Sequence, residues 1–291
     1  MIKKIRNVSL VVLPAVMFLL PSLTMGQPKP VAVAAPRPVA VDAATKYYFG
    51  SDWDVRYPKY SYMKNYEDFY ITKIGAGTNS RDGSLPSTTL SGSPSSQYVY
   101  WFLCNNATNN GAVQADKFAD TYRDHNTAVK NGYYKTFQGN TMFVDFERWE
   151  GSCADWGISK DAIVQNRKLF NSFLNRLHFR EPKKKIGIYT GGIWKELLGS
   201  DYTFPARLKG KIVIWFAHYG NDCTYGGNKY HPAKWPTNKW QELRTGMGAV
   251  AESWQMFSDS SKYKVGGITP TIWQFCGDVG NITPKNPVKG F

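Results

Sequence analysis

The segment TMFVDFERWEG, residues 141–151, sets two carboxylates, Asp145 and Glu147, two positions apart at the end of an apolar run. Ionised carboxylates are costly to bury, so such a pair needs either a cation beside it or a chemical role. On a strand, residues two apart project from one face, so both acids would point the same way. Two close carboxylates repel, and one then keeps its proton to higher pH while the other stays ionised. A protonated acid beside a carboxylate is the equipment for cleaving a glycosidic bond: one protonates the leaving oxygen, the other faces the developing oxocarbenium charge. The competing reading is a surface ion pair with the nearby Arg148.

Positioning such a pair requires strands. Apolar or aromatic strand candidates recur at 47–54, 69–75, 98–104, 142–147, 185–190, 212–220 and 271–276. Between some of them lie helical patterns. GAVQADKFADTY carries Val113, Phe118 and Tyr122 toward one face, and SKDAIVQNRKLFNSFLNRLHF carries Ile163, Phe170, Phe173, Leu174 and Leu177 at helical spacing, with Ser159 as its cap. Continuous apolar strands alternating with amphipathic helices imply a mostly parallel sheet covered by helices. Over a region beginning near Thr45, an α/β fold closed as a (β/α) barrel follows. Active sites of such barrels gather at the strand C-termini, where Asp52 and Asp54 end the first strand, Asp145 and Glu147 the fourth, and Tyr189 lies near the end of the fifth.

The remaining composition bounds the setting. The chain has 291 residues with 36 Lys plus Arg against 22 Asp plus Glu, a net charge of +14 that suits a polyanionic partner. MIKKIRN followed by VSLVVLPAVMFLL has the layout of an export signal, so residues 1–26 are expected to be a signal or, if uncleaved, a membrane anchor. The Pro/Ala/Val-rich stretch 27–44 is expected to be an extended linker, and 45–291 the folded domain. An exported location, secreted or in the cell envelope, makes disulfides the natural state of Cys104, Cys153, Cys223 and Cys276. Four cysteines allow three pairings. Cys104 and Cys153 follow neighbouring strands and Cys223 and Cys276 follow late ones, which favours 104–153 and 223–276. No CxxC spacing or histidine cluster suggests a metal site, and no cofactor is expected. Nucleic-acid binding is disfavoured by the export signal and by the absence of a dense basic stripe beyond Lys183, Lys184 and Lys185.

These elements resemble the glycoside hydrolase family 25 lysozymes, N-acetylmuramidases that cut the peptidoglycan glycan strand. The resemblance runs from about Tyr48 to Asn281. GSDWD is similar to the family's opening Gly-x-Asp, placing its aspartate at Asp52. YVYWFLCNNATNNGAVQADKF resembles its aromatic strand and following helix, FVDFE its Asp-x-Glu strand, IGIYTGGIW its Ile-Tyr-Thr strand, IWFAHYG its Leu-Trp-Ile-Ala-x-Tyr strand, and WQF its closing Trp-Gln-Tyr. Of two Trp-Gln pairs, Trp254-Gln255 and Trp273-Gln274, the second suits the closing strand. Two departures stand out: KIGAGTN lacks the glutamate of the family's Lys-Ala-Thr-Glu-Gly turn, and CGDVGN offers Asp278 in altered order where the family has Val-Asp-x-Asn.

The resemblance implies an irregular TIM-like barrel of about five β/α units followed by extra strands. It implies a monomeric peptidoglycan-cleaving enzyme with Glu147 as general acid, raised by neighbouring negative charge, and Asp145 stabilising the transition state or a ring formed by the substrate's N-acetyl group. Asp52 and Asp278 would complete the acidic floor. Tyr189, Tyr219, Trp101 and Trp273 would line sugar subsites. The alternative is a catalytically silent barrel of the cell envelope that binds glycan.

Overall fold

The computed structural model describes residues 48–54, 68–78, 96–105, 110–130, 137, 139–148, 153, 155–218, 260–274, 281–287 and 290–291. All of these fall in one compact unit, Ala40–Phe291. The expected signal and linker, and Tyr219, Cys223, Cys276 and Asp278, lie outside the described residues. Among the described residues no helix is long and apolar enough to cross a membrane.

Eight strands close into one barrel in sequence order: β1 (Tyr48–Asp54), β2 (Phe69–Ala76), β3 (Ser96–Phe102), β4 (Thr141–Asp145), β5 (Lys185–Thr190), β6 (Ile212–Ala217), β7 (Ile272–Gln274) and β8 (Asn281–Thr283). Neighbours from β1 to β7 pair parallel, whereas β8 runs antiparallel to both β7 and β1 and closes the ring. The fold class expected from the sequence is therefore observed. Among the described residues α-helices follow β3 (α1, Gly111–Lys130), β4 (α2, Lys160–Arg180) and β5 (α3, Trp194–Leu198).

The helices form where side chains can both cap and pack. Asn110 Oδ1 accepts the Ala112 N–H at 2.8 Å at the start of α1, and Ser159 Oγ accepts the Ala162 N–H at 3.2 Å at the start of α2. The buried stripe of α2 is Asn166, Phe170, Phe173, Leu174 and Leu177, with Ile163 only partly buried. That of α1 runs through Gln114, Ala115, Phe118, Ala119 and Tyr122, at the three-and-four spacing of one helix face. Val113 departs from expectation: it is 43% exposed, because the helical period places it on the side of α1 opposite that stripe. Phe118 stacks on Phe173, and Asp116 receives Arg176 at 2.8 Å, so aromatic contact and ion pairs join α1 to α2.

Strand alternation divides the apolar residues into two layers. Outward residues such as Ile74, Trp101, Val144 and Ile188 meet the helices, while Phe69, Ile71, Tyr98, Phe143, Tyr189, Val213, Trp215 and Ile272 fill the barrel. At the strand N-terminal end Phe291 lies against Phe69 and Tyr98, with ring centroids at 5.5 and 4.8 Å, and the Tyr98 hydroxyl donates to the Pro287 carbonyl at 2.7 Å. Gly187 is required here, since a Cβ on it would come within 2.0 Å of the Phe143 ring. With one end packed solid, the polar residues of the interior are left at the other.

Cys104, just past β3, is joined by a disulfide to Cys153 in the segment after β4, as expected from their places. The buried Gln114 amide braces this corner by accepting the Cys104 N–H at 2.9 Å and donating to the Cys104 carbonyl at 2.8 Å. The bridge closes a sequence separation of 49 residues. Replacing both cysteines by Ala should lower unfolding stability by about 2–4 kcal/mol, read as a shift of the denaturant midpoint.

Candidate active site

The C-terminal mouth of the barrel is built from inward positions at the strand ends. Phe143 and Asp145 share the inner face of β4, and Asp145 is only 6% exposed. Pairing continues past the strand end: Phe146 donates its N–H to the Tyr189 carbonyl at 2.9 Å. Its side chain turns outward into the helix layer, stacked on Phe170 at 4.4 Å and edge-on to Trp156 at 4.9 Å. With Phe146 turned outward, Asp145 and Glu147 flank it close enough to interact electrostatically, each also feeling the Lys73 cation. Arg148 turns instead to Asp155, at 3.7 Å, so the competing surface-pair reading fails.

Both acids hold their protons unusually well. Burial pushes the Asp145 carboxyl well above the ordinary carboxylate range; the charges of Glu147 and Asp52 add to this and the Lys73 cation opposes it. Glu147 is pushed up to about 7, chiefly by burial, again opposed by Lys73. Desolvation is thus the main cause at Glu147, where the sequence suggested neighbouring charge. Groups this close lose their protons as a unit, so the pair retains a proton close to neutrality. Oδ1 of Asp145 is buried with no hydrogen-bond partner among the described residues.

Asp52 is 8% exposed and is held from the late strands: its Oδ1 accepts the Gln274 side-chain N–H at 2.8 Å and the Asn281 side-chain N–H at 2.7 Å. Asn281 Oδ1 in turn accepts the Trp215 indole N–H at 2.8 Å. Trp215 lies under the mouth, with Tyr189 at 4.4 Å and Tyr100 edge-on at 6.1 Å. Among the described residues no cluster of His, Cys, Asp or Glu could hold a metal ion.

No family model matches the chain, and no curated protein matches it. Solved structures do. It is similar to the bacterial lysozyme from Streptomyces coelicolor, at 19% identity and a TM-score of 0.49 over 83% of this chain and 93% of that one. It is similar also to a family 25 lysozyme from Aspergillus fumigatus, at 16% identity and a TM-score of 0.48 over 82% and 94% of the two chains. A family 25 glycosyl hydrolase from Bacillus anthracis matches at 12% identity and a TM-score of 0.47, over 81% and 86%. At these identities residue roles follow from this chain's own geometry.

The mouth therefore gathers Asp52, Asp145, Glu147 and Tyr189 from the residues singled out in the sequence. Two others do not join them. Trp101 points outward, 1% exposed, and packs on Phe118 of α1 at 5.5 Å. Trp273 also points outward, against Phe216 at 5.7 Å and Tyr263 at 5.3 Å. The alternation of β3 and β7 gives the inner places to their neighbours, Tyr100 and Gln274. Lys73, Trp215, Gln274 and Asn281 were missed. Lys73 and Gln274 carried a usable signal, each being a strongly polar residue inside a mostly apolar strand.

Lys73 gives a prediction that needs no substrate. Because its cation lowers the proton affinity of both acids, Lys73→Met should make the Glu147 carboxyl titrate at higher pH than in the native protein. Carbon NMR of labelled carboxyl groups reads this directly; an unmoved or lowered titration would remove Lys73 from the site.

Proposed function

We propose that the protein is a divergent glycoside hydrolase family 25 lysozyme that hydrolyses the β-1,4 bond between N-acetylmuramic acid and N-acetylglucosamine in peptidoglycan. The observation that carries this reading is the pair Asp145 and Glu147, held inward at the barrel mouth and retaining a proton close to neutrality. The six sequence elements in family order support the same reading.

Glu147 lies beyond the strand end and is the more exposed of the two, so it can reach a glycosidic oxygen that the deeper Asp145 cannot. It donates its proton to that oxygen as the C1–O bond breaks, and the leaving sugar departs with a new hydroxyl. With the pair's shared proton placed on Glu147 for that step, Asp145 is the carboxylate facing the cationic ring carbon, or it accepts from the N–H of an N-acetyl group whose carbonyl oxygen closes on C1. Water then adds at C1, and its proton returns to the acid pair. Tyr189 offers an aromatic face for a sugar ring, as would Tyr219. The net charge of +14 suits the carboxylates of peptidoglycan stems and anionic wall polymers. An export signal at 1–26, cleaved or left as an anchor, and a linker at 27–44 would deliver the monomeric domain to the envelope, and Cys223 would pair with Cys276. Asp278 is a further candidate for the acidic floor.

A glycan-binding barrel without catalysis is the second reading. It is favoured by Asn281, an amide on the last strand contacting Asp52. Purified peptidoglycan incubated with the protein separates the two. The lysozyme reading expects soluble reducing ends, with kcat/KM falling above about pH 7 as the acid pair loses its proton. Sedimentation with peptidoglycan but no reducing ends between pH 4 and 8 would establish the silent barrel.

A further inference from the structure

The acids of the mouth are held in different ways. Asp145 presents a buried Oδ1 without a partner among the described residues, whereas Oδ1 of Asp52 meets two side-chain amides, Gln274 at 2.8 Å and Asn281 at 2.7 Å. The two ends of an Asn side chain have nearly the same shape, so its orientation is set by the groups it meets. Here one of those groups is unambiguous. An indole N–H can only donate, so the Asn281 atom 2.8 Å from Trp215 Nε1 must be the oxygen. The NH2 group is thereby turned toward Asp52, and because it can only donate, Asp52 Oδ1 must accept. The direction of the chain is fixed at Trp215 and ends on Asp52.

We infer that Trp215, Asn281 and Gln274 are positioning residues that hold Asp52 as an acceptor, so that the proton of the acidic mouth stays on Asp145 and Glu147. All three are fully buried, Trp215 and Gln274 at 1% exposure and Asn281 at 0%, so no water competes freely for these contacts. Two N–H donors converging on one carboxylate oxygen favour its charged form. Without them, Asp52 would be a third acid of the same mouth, able to draw the proton away from the group that must deliver it. Among the described residues, the titratable groups gathered at the same end of the barrel as Asp52 are Lys73 on β2, Asp145 and Glu147 at the end of β4, and Tyr189 on β5, with Asp145 feeling the Asp52 charge directly; its contacts from β7 and β8 include the neutral Gln274 and Asn281. The inference rests on the lysozyme reading for its consequence in catalysis, but the hydrogen-bond direction is a property of the free protein.

Three variants of the full chain test it: Trp215→Phe keeps an aromatic plate and loses the donor, Asn281→Asp keeps the size and offers Asp52 no N–H, and Gln274→Glu does the same from β7. In each, the Asp52 carboxyl resonance of labelled, substrate-free protein should titrate at higher pH than in the native protein. In parallel, kcat/KM at pH 5 should fall about tenfold or more with KM changed by less than about twofold, since the loss is in catalysis and not in uniform binding. Thermal unfolding identifies any variant that fails to fold, and Asn281→Asp, which can still accept from Trp215, is the isosteric one least exposed to that failure. An Asp52 titration unmoved in the folded variants would overturn the inference. A moved titration in a protein that cleaves no glycan would uphold the positioning role and sink the lysozyme reading instead.

Discussion

Glu147→Gln should lower glycan-strand turnover by about 10²–10⁴-fold, the range that a positioned general acid contributes. Gln keeps the volume and the polar contacts of the glutamate but has no proton to donate at any pH, so the variant should also lose the fall in kcat/KM above about pH 7 that the native acid pair imposes. The same substitution should stabilise the fold at alkaline pH. Burial holds Glu147 at about 7 instead of its ordinary 4.5. The folded state therefore binds more protons than the unfolded state between those values, and stability falls as pH rises through that window. Gln removes this loss. At pH 8 the variant should exceed the native protein by on the order of 2 kcal/mol, while near pH 4 the two should agree. Denaturant midpoints at the two pH values check this beside the kinetics. A variant that is inactive but no more stable at pH 8 would mean that Glu147 ionises without penalty, contrary to its environment.

Asp145→Asn should cost about 10²–10³-fold in kcat, the loss typical of removing one preorganised electrostatic partner of the transition state. The native carboxylate can turn two acceptor oxygens toward developing positive charge; the amide offers one weak acceptor and brings an N–H pair into a place where, among the described residues, Oδ1 is already buried without a partner. Sedimentation with insoluble peptidoglycan should survive this substitution, because aromatic faces and the basic surface are untouched. Weakened binding with unchanged kcat would give Asp145 a role in holding the ground state and not in catalysis.

What the sequence disclosed about this site followed from local pattern. FVDFE was legible because two acids alternate with Phe143, Val144 and Phe146, and the barrel uses that alternation directly: Asp145 inward, Phe146 under α2. The pairing of Cys104 with Cys153 was legible from strand order. Trp101 and Trp273 were misplaced for one shared reason. Strands of a parallel barrel are buried on both faces, so in YVYWF every position is apolar and alternation alone does not say which set looks inward. The polar residue at Gln274 was the better guide, since an amide inside a barrel strand needs partners that the apolar layer beneath the helices cannot give. Strand β8 escaped notice because three residues, Asn281–Thr283, are too short for any periodicity. Its inward Asn281 meets Asp52 across a separation of 229 residues, and Gln274 meets it across 222. Such contacts exist only once the barrel has closed, so the acids were readable from sequence and their support was not.

The most direct test of the lysozyme assignment is the identity of the sugar at each new chain end. Purified peptidoglycan digested by the protein, reduced with borohydride and resolved by mass spectrometry should yield fragments ending in reduced N-acetylmuramic acid, because the bond broken is the one from C1 of that sugar. Digestion by the Glu147→Gln variant should leave those fragments at background. Fragments ending in reduced N-acetylglucosamine, or the same muramic-acid ends released equally by the variant, would contradict the account.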